Sequence, residues 1–393
     1  MGFALPKFVY SGPGVHFPAR YYLLVVLLIL LTHFLFSHLH EEYSKATSLT
    51  QLAPWIQSHS ASTQCVGADT DTESVWGTLE GDQYPRAAHK PQIGRANATF
   101  VILARNHEIN DIVQSLAEME HTFNHQYHYP YVFLNDLPFT AEFKERTSKV
   151  VSGKVSYGQI PHDHWHQPPT IDEERARKSR EDMVRNDVIY GGSVSYRNMC
   201  RFNSGFFFRH ELLQQYRYYW RIEPGVNFFC DITEDPFVFL QENNKVYGFT
   251  ISMYEYESTI PTLWETTKEF IRKHPEYVAK DNALKFISDD RGDSYNMCHF
   301  WSNFEIADMD FWRSEAYMKY FEFLDSKGGF YYERWGDAPV HSIGAALFAK
   351  KEQIHFFKEI GYRHNPFQHC PQGALHTKGK CWCDERNNFD YER

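Results

Sequence analysis

The chain has 393 residues, with 40 Lys and Arg against 50 Asp and Glu, giving a formal net charge of −10. Hydrophobic residues are 42% and aromatics 17% of the total, enough for a large core, which excludes a mainly disordered or fibrous protein. The acidic balance argues against nucleic acid as a partner, because binding phosphates needs clustered Lys and Arg.

The first predicted element is the uncharged apolar run from Tyr21 to Leu39. A bilayer core takes about 20 apolar residues in a helix, so this run predicts a retained signal-anchor. A cleaved signal peptide would have a shorter apolar region and a small-residue cleavage site, and none follows here. Residues 1–20 carry Lys7 and Arg20 and no acid, whereas Glu41 and Glu42 follow the span. The positive side stays cytoplasmic, which predicts a type II protein with residues 40–393 lumenal. Residues 40–92 are polar and aperiodic and read as a stem, leaving a single body over 93–393.

The sequon at Asn97 and seven cysteines, all beyond the span, fit an oxidising compartment. The odd count leaves at least one thiol outside intrachain pairing. The segment from Cys370 to Cys383 reads either as a zinc cluster with His369 or His376, or as a disulfide closing the C-terminal region. The secreted context favours the disulfide.

Within the body, Thr99–Ala104, Tyr131–Leu134 and Lys154–Gly158 read as strands. Helical patterns over Glu108–Phe123 and Thr140–Lys149 separate them. This alternation predicts βαβ units, hence an α/β fold with a mainly parallel sheet flanked by helices. Thr170 and Glu173 suggest a capping box opening a charged, solvated helix. Tyr247–Tyr254 reads as one further strand, and Pro261–Lys273 and Ser314–Leu324 as helices.

Ligands gather at the carboxyl ends of strands in such sheets. Two D-x-D triplets, the familiar short metal motif, are Asp69 to Asp71 and Asp308 to Asp310. The first falls in the stem with no strand before it. The second sits in a helix-like stretch and reads as capping. Glu223 is better placed, because an aromatic strand runs into it and Pro224-Gly225 then turns the chain; an ordinary turn acid is the alternative. Segments 195–205, 295–306 and 328–341 mix aromatics with Asn, His, Arg and acids without amphipathic periodicity. Such a mixture suits a carbohydrate site, and irregular loops packed by their own rings are the competing reading. A lone histidine such as His299, His341 or His364 reads, taken by itself, as structural.

Taken in order, YRNMCRFNSGFF, YRYYWRIEPGV, YGFTISMYEYESTIPTLW, YNMCHFWSNFEIAD, GGFYYERWGDAPVHSI and HFFKEIGYRHNPFQHCP resemble the fungal α-1,2-mannosyltransferases of glycosyltransferase family 15. The resemblance implies a GT-A-like fold. It also implies retaining transfer of mannose from GDP-mannose to a mannoside 2-hydroxyl with Mn²⁺, on N- or O-linked glycans in the Golgi. By position, Glu223 and His364 correspond to metal ligands and Glu305 to a nucleophile on the β face of the donor sugar. Tyr196 corresponds to a tyrosine close to donor and acceptor, Glu255 to another active-site acid, and Arg105 to a weaker nucleotide contact. Two alternatives stay open on the residues alone. One is a lumenal glycoside hydrolase using Glu223 and Glu305; the other is a membrane-tethered glycan-binding protein without turnover.

Overall fold

The computed structural model describes residues 94–389. The apolar run 21–39, the stem, Cys65 and the first D-x-D triplet lie outside the described residues. Among the described residues no helix is long and apolar enough to cross a membrane.

A seven-stranded sheet organises the body. Its strands are β1 (Ala98–Leu103), β2 (Tyr131–Asn135), β3 (Val155–Gln159), β4 (Tyr218–Arg221), β6 (Tyr247–Phe249), β9 (Ile306–Asp308) and β10 (Ile354–Phe356), in spatial order β10-β6-β9-β4-β1-β2-β3. Only β9 runs against its two neighbours in this sheet. The sheet is therefore mixed and mainly parallel, as the alternating pattern predicts. Side chains alternate between its faces: Phe100 and Ile102 join one apolar cluster, and Val101 the other. Both faces are covered, which is why these strands read as continuous apolar runs.

Helix α1 (Ile109–Met119) buries Ile109, Ile112, Leu116 and Met119 along one face. Helix α2 (Ala141–Val150) starts where Thr140 accepts a hydrogen bond from the Phe143 amide. In α3 (Glu173–Arg185) the cap is Asp172, which accepts from the Arg175 amide. The suggested Thr170 box does not form, because the chain enters the helix two residues later. Helix α4 (Val194–Gly205) is the chief departure from the sequence reading, since 195–205 is regular helix. Its aperiodicity comes from burial on most sides: Arg197, Asn198, Arg201 and Asn203 are buried together with Cys200 and Phe202. Helices α5 (Pro236–Glu242), α6 (Leu263–Lys273), α7 (Glu315–Lys327) and α8 (Asp337–Phe348) complete the larger set.

Tyr247–Tyr254 is two strands rather than one. After β6 the chain leaves the main sheet, and β7 (Ser252–Tyr254) pairs with β8 (Cys298–Phe300). A third small antiparallel sheet joins β5 (Asn227–Phe228), β11 (Tyr362–His364) and β12 (Phe367–His369). Disulfides Cys230–Cys381 and Cys370–Cys383 tie the C-terminal segment beside it. Cys370 and Cys383 are thus bonded to each other and not available to zinc. Cys200 is the free thiol among the described residues, and it is buried.

Candidate active site

Arg105, Glu223 and Glu305 collect at one edge of the main sheet, and Tyr196, Glu255 and His364 reach it from neighbouring segments. Because β9 is reversed, its amino end shares that edge with the carboxyl ends of β1, β4 and β6. Asn97 precedes β1 at the opposite edge, exposed, with its amide donating to the Gln215 carbonyl at 2.9 Å.

Strand β4 delivers Arg221 and then, two residues later, Glu223. The turn after Glu223 needs a positive φ at Gly225 (83°), which glycine adopts without steric cost. Pairing of Phe228 with Tyr362 and of Asn227 with Arg363 brings the end of β11 back over this turn. His364 Nε2 consequently lies 3.5 Å from Glu223 Oε2. Its ring meets Trp301 edge-on at 5.1 Å, and its Nδ1 is buried without a partner. The side chains of Glu223 and His364 remain 24% and 33% exposed, so ligand access is open from one side.

Arg221 secures the pair from below. One of its amino groups bonds Glu223 and the other lies 2.6 Å from Asp337 Oδ2, which also accepts from the Ser302 hydroxyl at 2.9 Å. Burial works against the charge of Asp337, but Arg221 and His341 outweigh it and hold the carboxyl below its ordinary range. Burial likewise opposes the Arg221 cation, and Glu223, Asp337 and Glu305 together keep it protonated.

Glu305 immediately precedes β9 and is fully buried. Tyr219 donates to its Oε1 at 2.6 Å and Tyr247 to its Oε2 at 3.1 Å. His341 Nδ1 lies 3.0 Å from Oε2. A narrow hollow of about 10 Å³, lined also by Val101, Asn203 and Arg221, lies beside it.

Tyr196 lies in the first turn of α4, where the Ser193 hydroxyl accepts from its amide. Its ring stacks on Tyr190 at 4.4 Å, and Arg334 lies 5.1 Å from its centroid. The same guanidinium is 3.6 Å from Glu255 Oε1, so Arg334 joins Tyr196 to Glu255. His299 is buried next door with its Nδ1 unpartnered, and burial depresses its basicity. Arg105, just past β1, bonds the Ser195 hydroxyl beside Tyr196. An open hollow of about 700 Å³, lined by Lys178, Asp182, Asn186, Ser258 and Glu333 among others, adjoins the Tyr196 and Glu255 segments.

Asp308 and Asp310 take no part. Asp308 caps a short helical turn and pairs with Arg217 at 2.9 Å, as its helix-like context suggests. The sequence reading missed Arg221, Tyr219, Tyr247, Arg334 and Asp337 as site residues. Arg334 and Asp337 lie within a segment whose mixed chemistry stood out. Tyr219 and Tyr247 look like ordinary aromatic strand positions.

The fold and site thus define an α/β protein with a mainly parallel sheet whose strand ends gather carboxylates, arginines and an exposed imidazole. The chain belongs to the glycolipid 2-alpha-mannosyltransferase family, whose model matches residues 58–393. It is 53% identical over 303 residues to glycolipid 2-alpha-mannosyltransferase 2 of Candida albicans, covering 77% of this chain and 65% of that one. It is 46% identical over 377 residues to O-glycoside alpha-1,2-mannosyltransferase omh1 of Schizosaccharomyces pombe, covering 96% and 93%. The chain therefore spans about two thirds of the first relative and nearly all of the second. Among solved structures it resembles core-mannan synthase A (CmsA/Ktr4) from Aspergillus fumigatus in its Mn/GDP form. That match has TM-score 0.72 and 41% identity, covering 81% of this chain and 87% of that one.

Proposed function

We propose that this protein transfers mannose from GDP-mannose to the 2-hydroxyl of a mannoside, with retention of the α configuration and a requirement for a divalent cation, Mn²⁺ by preference. The observation that carries this reading is the open Glu223–His364 pair at the strand ends. A carboxylate oxygen and an imidazole nitrogen suit a first-row divalent ion, and the buried unpartnered Nδ1 shows that the ring's bonding is incomplete. The bound ion would neutralise charge building on the departing diphosphate. Support comes from the family, from the names of the relatives and from the Mn/GDP form of a neighbour 41% identical.

In this reading Arg105 faces the nucleotide and Arg221 fixes the orientation of Glu223. Tyr196 and Glu255, held by Arg334, border the acceptor, whose further sugars extend toward the open hollow. Glu305 lies beneath the donor sugar and supplies negative potential as the anomeric carbon becomes cationic. The acceptor oxygen attacks that carbon as its bond to the phosphate oxygen breaks, and the released phosphate takes the hydroxyl proton. The closed surroundings of Glu305 favour this same-face route over a covalent glycosyl–Glu305 intermediate, which would need the 10 Å³ hollow to open. Family membership favours transfer over the hydrolase and binding-module alternatives. A type II Golgi placement anchored by residues 21–39, glycosylation at Asn97 and a glycoprotein acceptor belong to the same proposal.

The test is incubation of the full chain with GDP-mannose and methyl α-mannoside, with and without EDTA, and NMR of the product. The expected product is an α-1,2-linked disaccharide that EDTA abolishes and added Mn²⁺ restores. A β-linked product, hydrolysis without transfer, or transfer indifferent to EDTA would overturn the reading.

A further inference from the structure

The hydrogen bonds around Glu305 fix every proton but one. His341, on α8, has both ring nitrogens engaged: Nε2 lies 3.1 Å from the Asn203 carbonyl oxygen and Nδ1 lies 3.0 Å from Glu305 Oε2. A backbone carbonyl only accepts, so Nε2 carries a proton. Tyr219 receives a hydrogen bond from Trp312 Nε1 at 3.0 Å, so its own proton points at Glu305 Oε1. Tyr247 turns its hydroxyl on Oε2. If Glu305 were ionised and His341 neutral, Nδ1 and Oε2 would face each other as two bare acceptors in a dry core. Two facing acceptors with no proton between them are strongly disfavoured in such a core. One proton must therefore lie between them, on the imidazole or on the carboxyl.

We propose that His341 is a positioning residue for Glu305, acting through this single buried proton. The proton can move from Oε2 to Nδ1: the Oε2–H bond breaks, the Nδ1–H bond forms, and nothing leaves the pair. The shift raises the negative charge on Glu305 when positive charge develops nearby, and it needs no exchange with solvent. Of the four acceptor positions on the carboxylate, Tyr219, Tyr247 and His341 fill three, so Oε1 is the oxygen that keeps one.

The imidazole is fixed for this task. Trp312 stacks on it at 4.3 Å with 18° between planes, and Phe207 flanks it. The charged and titratable groups around the pair are Arg221 and Tyr219 from β4, Tyr247 from β6, Tyr317 from α7 and Asp337 one turn earlier on α8. Asp337 and Arg221 pair with each other, and both also feel the charges of His341 and Glu305, so the two buried pairs form one network.

The catalytic part of this proposal rests on reading Glu305 as the group beneath the donor sugar; the shared proton does not. The full chain labelled with ring-¹⁵N histidine is expected to show one far-downfield, slowly exchanging proton at His341. It should vanish in both His341→Gln and Glu305→Gln and persist in Tyr247→Phe. Its absence from the wild type would overturn the proposal without any variant having to fold. In transfer from GDP-mannose to methyl α-mannoside, His341→Gln is expected to lose about 10²-fold in kcat with little change in KM for GDP-mannose. An unchanged kcat in a folded variant would remove the positioning role, as would an equal rise in KM. If the wild type gives no transfer at all, the activity reading falls while the resonance still decides the shared proton.

Discussion

Glu223 and Glu305 lie at the same edge of the sheet, on neighbouring strands joined by the Arg221 amide donating to the Glu305 carbonyl at 3.0 Å, yet their surroundings are opposite. The Glu305 carboxyl is sealed and meets three hydrogen-bond partners from three elements. The Glu223 carboxylate is partly exposed, meets one cation from below and faces an imidazole whose Nδ1 lacks a partner. The difference teaches what each can do. A carboxylate whose acceptor positions are mostly filled by the protein has little capacity for a metal, but it can present negative potential without rearranging its surroundings. A carboxylate with free lone pairs and an unfinished neighbour can accept an exchangeable ligand.

The hardest way to break this comparison is to remove the cation that links its two halves. Arg221→Met leaves Asp337 buried and Glu223 without its partner, and should cost about 3–5 kcal/mol in stability by calorimetry. A smaller loss than about 1 kcal/mol would mean the ion pairs are incidental. Glu305→Gln keeps the shape and removes the charge, and is expected to lower kcat by about 10³-fold while leaving divalent-cation affinity unchanged. His364→Ala should do the reverse, weakening cation affinity by at least about 10²-fold in a titration, with excess Mn²⁺ recovering part of the activity.

A third carboxylate sharpens the contrast. Glu359 has a buried Oε2 with no partner, and burial pushes its pKa from 4.5 up to about 7. Burial with an unpartnered oxygen therefore favours the protonated form, whereas Asp337, buried beside Arg221 and Ser302, gives its proton up. The folded state binds the Glu359 proton more tightly than the unfolded state. Its contribution is thus fully present below about 4.5 and is lost as pH rises through about 7. Above pH 7, Glu359→Gln should gain about 1–2 kcal/mol in stability, read as a higher thermal midpoint, after allowing for the partial exposure of the side chain. The gain should disappear below pH 4.5. A gain independent of pH would assign the effect to packing.

The sequence is most legible where one physical rule dominates. Strands β1 and β2 follow from apolar runs because both of their faces are covered, and helix α1 follows from a 3.6-residue period because one of its faces is buried. Helix α4 hides its period by burying polar and apolar sides alike, and β6 and β7 join without a turn signal although they enter different sheets. The site divides in the same way. Glu223 is visible because a turn follows its strand, whereas the pairing of His364 with it depends on the β5–β11 register, which no local pattern carries. His341 reads as a satisfied structural histidine, and both of its nitrogens are indeed bonded. Its significance lies in the partner, which only the fold reveals. His299 and His364 depart from that expectation, each with a buried nitrogen left unpartnered.

The most direct test of the account is Mn²⁺ binding to the full chain in the presence of GDP, followed by electron paramagnetic resonance. The account predicts one bound ion in the wild type and in Glu305→Gln, and loss of that ion in Glu223→Ala and His364→Ala. Binding that survives both substitutions at the open pair, or that disappears with Glu305→Gln, would contradict it.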